Sequence, residues 1–155
     1  MISRPTTDQI LIACSRELLD VVLPDVQSDH VRVTVQMLEN VLRNAAARAA
    51  HEIAWMREET EALAGFARDV VTAMPERAGE TVRALAALAD APSHSLELAD
   101  VVETYSRAGE ACSCALEAAM AEGDAALAGR AADLMAARNQ RELQIMGEWT
   151  MVGRS

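Results

Sequence analysis

The sequence predicts an all-α protein, an antiparallel bundle of about five helices built around one long second helix. Alanine is abundant and aromatic residues make up only 3% of the chain, a composition that favours helices because alanine loses no side-chain entropy in them. Apolar residues recur at helical spacing, and no proline or glycine interrupts the chain between Pro24 and Gly65. Since 155 residues is the size of one domain, we expect 1–155 to fold as a single helical bundle.

Residues that begin or end helices divide the chain into its elements. Thr6 and Gln9 have the spacing of a capping box, which begins the first helix, and Leu23-Pro24-Asp25 ends it. Ser28 or Asp29 can cap the long second helix. We expect the third, fourth and fifth helices at residues 76–90, 96–122 and 125–149, with Gly123 ending the fourth helix and Asp124 capping the fifth.

An apolar stripe along the second helix is expected to form the core. With an advance of about 100° per residue from Leu38, its members fall within about 60° of one line. They are Val41, Leu42, Ala45, Ala49, Ile53, Met56, Leu63, Ala67, Val70 and Met74. The third helix offers Val82, Leu85, Ala86 and Leu88, and the fourth offers Leu98, Val101, Val102, Tyr105, Cys112, Leu116, Ala119 and Met120. The buried face of the fifth helix stays open, because arginines interrupt its apolar line.

Charge and composition exclude several classes of partner. The formal net charge is −10, and the arginines are scattered among acids instead of forming a basic stripe. We therefore expect neither nucleic acid nor an anionic membrane surface as a partner. A membrane-spanning helix needs about eighteen consecutive apolar residues, and no stretch of the sequence is that long. The start of the chain also lacks a signal-peptide pattern, so we expect a cytoplasmic protein.

A band on the other side of the second helix carries Met37, His51 and Trp55. His51 and Trp55 stand one turn apart, whereas Glu52 diverges by about 100° and cannot form an acid–base pair with His51 by itself. The simpler interpretation is that another helix or a second copy of the chain covers this band. The functional interpretation is a small-molecule pocket between helices that uses His51 and Trp55.

Metal chemistry of the kinds that helical bundles use is not supported. A di-iron carboxylate site needs a glutamate three residues before a histidine. The residues three positions before the three histidines of the chain are Gln27, Arg48 and Ala91, so this motif is absent from the sequence. A zinc site of the HExxH type fails because Trp55 stands where the second histidine would be. We therefore predict no metal, no cofactor and no catalytic residue.

The cysteines are predicted to be reduced packing residues. Cys112 and Cys114 are about 200° apart on a helix, so they can neither chelate one ion nor pair with each other. We expect Cys112 to lie on the apolar stripe and Cys114 to point away from it.

His30 and Arg32 are further candidates for binding. They lie at the start of the second helix, where unpaired backbone N–H groups and the helix dipole favour anions. A carboxylate or phosphate could be held there. The simpler alternative is that Asp29 caps the helix and His30 bonds to the preceding loop.

Residues 4–42 resemble a bacterial family of uncharacterised helical proteins. The elements that carry the resemblance are Arg4-Pro5-Thr6, Val22-Leu23-Pro24 and His30-Val31-Arg32-Val33. Genes of this family often lie beside those of acyl-CoA dehydrogenases and aminoglycoside-phosphotransferase-like kinases. The resemblance implies an accessory role near acyl-CoA metabolism and assigns no catalytic residue.

These features together favour a non-enzymatic helical accessory or interaction protein. We expect a homodimer through the band of Met37, His51 and Trp55, acting beside a metabolic enzyme. The alternative is a small-ligand-binding bundle or weak enzyme with a pocket between helices near His51 and Trp55. An apolar cavity walled by His51 or Arg138 would favour that alternative.

Overall fold

A computed structural model describes residues 4–92 and 94–146, and all the regular secondary structure in these ranges is helical. The elements are α1 (Thr7–Glu17), a π-helical segment (Leu18–Val22), α2 (Leu23–Asp25), α3 (Asp29–Ala73), α4 (Gly79–Ala89), α5 (Leu98–Glu122) and α6 (Ala125–Met146). The all-α bundle with a long second helix is confirmed. The first predicted helix corresponds to α1, the π segment and α2 together. Residues 147–149, the predicted end of the fifth helix, lie outside the described residues.

Predicted caps are confirmed at the starts of the first and fifth helices and at the end of the fourth, whereas a cap by Ser28 or Asp29 stays a prediction. The Thr6 N–H donates to Oε1 of Gln9 at 3.0 Å, which is half of the capping box. Oδ1 of Asp124 accepts from two backbone N–H groups in the first turn of α6, at 2.9 and 3.0 Å. Gly123 ends α5 with φ of 70°, a left-handed conformation that glycine adopts without a steric penalty.

The third helix begins later than the sequence predicts. Residues 75–77 form a turn, in which the Arg77 N–H donates to the carbonyl oxygen of Met74 at 3.0 Å, and α4 begins only at Gly79. The buried side chains of α4 are Thr81 and Ala84. The expectation that Val82 and Ala86 are buried is wrong, because α4 turns the face that carries Thr81 and Ala84 towards the core.

The chain divides into two compact units. The described residues of the first unit are 4–52 and 141–146, and the second unit is made of residues 53–140. The long helix α3 contributes its first half to one unit and its second half to the other.

The first unit has a very small apolar core. Oγ of Ser15 in α1 donates to Oε1 of Glu39 in α3 at 2.9 Å, so α1 lies against the side of α3 that carries Glu39. Val35 and Ala46 share that side at helical spacing, and they are the buried apolar side chains among the described residues of this unit.

The second unit has a continuous core to which four helices contribute. Its buried members are Leu63, Phe66, Ala67, Val70, Ala84, Ala108, Ala111, Cys112, Ala115, Ala119, Leu127 and Ala131. Alanine dominates the contribution of α5, and its small side chain lets the axes of neighbouring helices approach closely. Alanine therefore serves packing here as well as helix propensity.

Polar contacts fix the directions of the helices in the second unit. Arg130 pairs with Asp69, and Nε of Arg138 lies 3.4 Å from Oε1 of Glu59, so α6 runs antiparallel to α3. The Tyr105 hydroxyl contacts Glu59 near the start of α5, and Glu122 at its end pairs with Arg77. Helix α5 is therefore parallel to α3, as in an up-down-up-down arrangement.

The core stripe predicted for the second helix is confirmed in the second half of α3 and is wrong at several positions of the first half. Leu63, Ala67 and Val70 are buried in the second unit. Leu38 and Val41, on the same stripe in the first unit, are exposed. The reason is that α1 packs against the neighbouring side of the helix, where Glu39 lies.

The buried faces of the last two helices differ from the sequence expectation in detail. On α5 the buried face is centred on alanines, which leaves Leu98, Val102 and Met120 exposed although they were expected in the core. On α6 the face that the sequence left open is defined by Leu127 and Ala131, which are buried.

Candidate functional site

The first unit exposes an apolar surface on α3, which we call the α3 face. It consists of Val31, Met37, Leu38 and Val41, whose exposed fractions are 44%, 60%, 51% and 60%. Single exposed apolar residues are ordinary on protein surfaces, but these four lie within three turns of one helix and within about 120° of its circumference, so they form one apolar patch. Such patches are typical of sites that bind another macromolecule.

Charge is distributed so that the α3 face carries no carboxylate. Between His30 and His51 the only acidic residue in the sequence is Glu39, in a chain with 24 acids. Glu39 is directed towards α1, where it accepts from Ser15, and its Oε1 also lies 3.2 Å from Nε of Arg43. The α3 face is therefore apolar and free of the negative charge that dominates the chain.

The three residues of the predicted interface band occupy different environments. Met37 belongs to the α3 face, and His51, also in the first unit, is exposed. Trp55 lies in the second unit and is half-buried. An interface or a pocket formed by His51 and Trp55 stays a prediction.

Arg32 has a structural role at the predicted anion site. Its Nη1 donates to the carbonyl oxygens of Leu23 and Val26 at 3.1 and 3.2 Å, and so satisfies backbone acceptors at the end of α2. His30 is exposed, and its carbonyl oxygen accepts from Oγ1 of Thr34 at 3.1 Å. These contacts account for Arg32 without a ligand, and anion binding by His30 and Arg32 stays a prediction.

A polar cluster that the sequence analysis missed connects three helices of the second unit. Oε1 of Glu59 accepts from the Tyr105 hydroxyl at 2.9 Å and lies 3.4 Å from Nε of Arg138. Only 13% of the Glu59 side chain is exposed, so its charge is compensated by partners from α5 and α6. The three residues are far apart in sequence, and no local spacing links them. We interpret the cluster as a structural contact that holds the three helices together, because each of its polar groups interacts with another residue of the cluster.

The cysteines are placed partly as expected. Cys112 is buried in the core of the second unit, and burial raises the pKa of its thiol, an effect that Arg138 partly opposes. Cys114 is half-buried and packs at the edge of that core, so the expectation that it points away is only partly right. Desolvation also raises the pKa of Cys114, followed in importance by the charges of nearby glutamates.

A groove in the second unit lies between α3, α4 and α5. Its volume is about 330 Å³, and it is lined by Glu61, Ala64, Arg68, Leu85, Leu88, Ala89 and Thr104. This size is at the lower end of the range for small-ligand pockets. Apolar side chains form most of its wall, and the two charged residues both come from α3.

Within residues 4–92 and 94–146, no group of three or more histidine, cysteine, aspartate and glutamate side chains is arranged to hold a metal ion. In the same ranges, no helix is both long and apolar enough to cross a membrane. Comparison of the chain with protein-family models, curated proteins and solved structures finds no match.

Proposed function

We propose that this chain is a non-enzymatic helical interaction protein that forms a homodimer through the α3 face. The observation that carries the proposal is the exposure of Val31, Met37, Leu38 and Val41 on a unit that buries very little apolar surface of its own. Burial of apolar side chains is the main source of stability in folding and association. Covering the α3 face would bury additional apolar surface in the first unit, whose own core is very small.

Charge permits a second copy of the chain at the α3 face, although it opposes association elsewhere on the surface. The chain has a formal net charge of −10, so two copies repel each other over most of their surfaces. The α3 face carries no carboxylate, and association there avoids this repulsion locally. Val31 and Leu38 are seven residues apart, and Leu38 and Val41 three apart, a spacing that lets two helices pack side by side. A twofold axis would bring the same face of each copy together.

The setting of this dimer is proposed from the resemblance of residues 4–42. It is an accessory role beside a metabolic enzyme, in acyl-CoA metabolism. The α3 face overlaps the end of that segment, so the part of the chain that carries the resemblance also carries the proposed dimer surface.

Sedimentation equilibrium of the wild type and Leu38→Glu tests the proposed dimer. We expect the wild type to be a dimer and Leu38→Glu to be a monomer, because a buried carboxylate without a partner is costly. Val41→Glu should act in the same way. The matched control is Met120→Glu, at a residue of α5 that is 77% exposed in the second unit, which should stay dimeric.

Two results would contradict the proposal. The first is a wild type that is monomeric over the whole concentration range. The second is a Leu38→Glu variant that is as dimeric as Met120→Glu. Circular dichroism on each variant separates loss of the dimer from loss of the fold.

A further inference from the structure

The groove between α3, α4 and α5 combines an apolar wall with a single cation. Leu85, Leu88 and Ala89 of α4 form one side, and Ala64 belongs to the other. Arg68 lines the same groove. A surface of this composition is complementary to a molecule with a hydrocarbon body and one negative group.

Arg68 differs from three other arginines of the second unit in its lack of a carboxylate partner among the described residues. Arg77, Arg130 and Arg138 each pair with a carboxylate of this unit. Among the described residues, the guanidinium of Arg68 has neither an ion pair nor a hydrogen bond. In a chain with 24 acidic and 14 basic residues, an arginine with no acidic partner is available for an external anion.

Glu61 limits the kind of anion that fits. It lines the groove seven residues before Arg68, which corresponds to about 10 Å along the helix. A second negative group on the ligand would lie in the field of Glu61 and be repelled. The groove therefore selects for one negative end and an uncharged remainder.

We propose that this groove binds small aliphatic monocarboxylates, with the carboxylate on Arg68 and the hydrocarbon chain against Leu85 and Leu88. Arginine suits this role because its planar guanidinium can donate two parallel hydrogen bonds to one carboxylate. Thr104 offers a hydroxyl in the same groove, although that hydroxyl already donates to the Asp100 carbonyl oxygen at 2.8 Å. The site lies entirely within the second unit and does not depend on the proposed dimer.

Titration with octanoate, followed by calorimetry and by the methyl resonances of Leu85 and Leu88, tests the proposal. We expect saturable binding to the wild type with shifts at both leucines. Arg68→Gln should weaken octanoate binding about tenfold, because a hydrogen bond to a charged group contributes about 1.5 kcal/mol or more. Octanol should bind wild type and Arg68→Gln equally, because it lacks the charge that Arg68 recognises.

Matched variants separate the groove from general charge effects. Arg83→Gln removes an exposed arginine of α4 that pairs with Glu80, and it should bind octanoate like the wild type. Octanedioate should bind the wild type more weakly than octanoate, and Glu61→Gln should reduce that difference. Leu38→Glu should bind octanoate normally, so failure of the dimer and failure of this site are distinguishable.

Three results would overturn the proposal. They are the absence of saturable octanoate binding, equal binding by Arg68→Gln, and ligand-induced shifts that leave Leu85 and Leu88 unaffected.

Discussion

Thr81 carries a hydroxyl group that is buried in the second unit. Its exposed fraction is 0%, and its Oγ1 has no hydrogen-bond partner among the described residues. Valine has nearly the same shape, and it has a helix propensity similar to that of threonine. Thr81→Val should therefore raise the free energy of unfolding by about 1 kcal/mol, because an unsatisfied polar group leaves the core.

Urea denaturation measures this effect, with Thr72→Val as the control. Thr72 is exposed, and its hydroxyl donates to the Arg68 carbonyl oxygen at 2.9 Å. Its replacement should change stability by less than about 0.5 kcal/mol. A Thr81→Val variant less stable than the wild type would mean that the hydroxyl has a partner, such as a buried water.

The three thiols should react in the order of their exposure. Cys14 is exposed, Cys114 is half-buried and Cys112 is buried. Because desolvation raises the pKa of Cys114 and of Cys112, less of each is in the reactive thiolate form near neutral pH. Mass spectrometry of a maleimide time course should show Cys14 labelled first and Cys112 last.

The pH dependence of labelling follows from the same shifts. A raised pKa means that the labelling rate of Cys114 should keep increasing at pH values above the usual thiol range. Cys112→Ser should also cost stability, and Cys114→Ser less, because only Cys112 is fully buried. Labelling of Cys112 as fast as Cys14 in the folded protein would contradict this placement of α5.

At the scale of the helix, two glycines should respond in opposite ways to alanine. Gly123 ends α5 with φ of 70°, where a Cβ is strained even though the space around it is open. Gly123→Ala should destabilise by about 1 kcal/mol. Gly129 lies inside α6, and a methyl group at this position would meet no atom within 4 Å, so Gly129→Ala should stabilise by up to about 1 kcal/mol.

Thermal unfolding of the two variants checks this contrast. Equal effects of the same sign would show that the end of α5 is not the left-handed cap described above. The sequence predicted Gly123 as the end of the fourth helix, because glycine is the residue most often found at such ends.

Helix α3 shows what periodicity predicts and where it fails. The spacing of Leu63, Ala67 and Val70 predicted their burial correctly. The same spacing at Leu38 and Val41 did not, because a periodic pattern identifies an apolar face but not the element that covers it. Only the contact between Ser15 and Glu39 reveals that α1 lies on another side of the helix.

At the scale of the whole molecule, the fold class was predictable and the candidate sites were only partly so. Composition, caps and spacing were sufficient for an all-helical bundle, because each of these signals is local. The groove at Arg68 could not be found in this way. Its residues come from three helices, and only the placement of the other ion pairs shows that Arg68 has no acidic partner within residues 4–92 and 94–146.

The α3 face was predicted in part. Met37 belonged to the expected interface band, whereas Leu38 and Val41 were expected in the core. An interface and a core both remove apolar side chains from water. A dimer would do so for the α3 face without a covering helix from the same chain. Leu38 and Val41 are exposed in the single chain, so the core prediction is wrong for one copy, but both side chains would be buried in the proposed dimer.

Isotope-filtered nuclear Overhauser spectroscopy tests this assembly most directly. The sample is an equal mixture of chains with labelled methyl groups and unlabelled chains, so that only contacts between copies are recorded. We expect cross-chain signals from the methyl groups of Leu38 and Val41, because a twofold axis places the α3 face of one copy on that of the other. Cross-chain signals from Leu98, Val102 or Met120 with none from Leu38 and Val41, or no cross-chain signals at all, would contradict the proposed dimer.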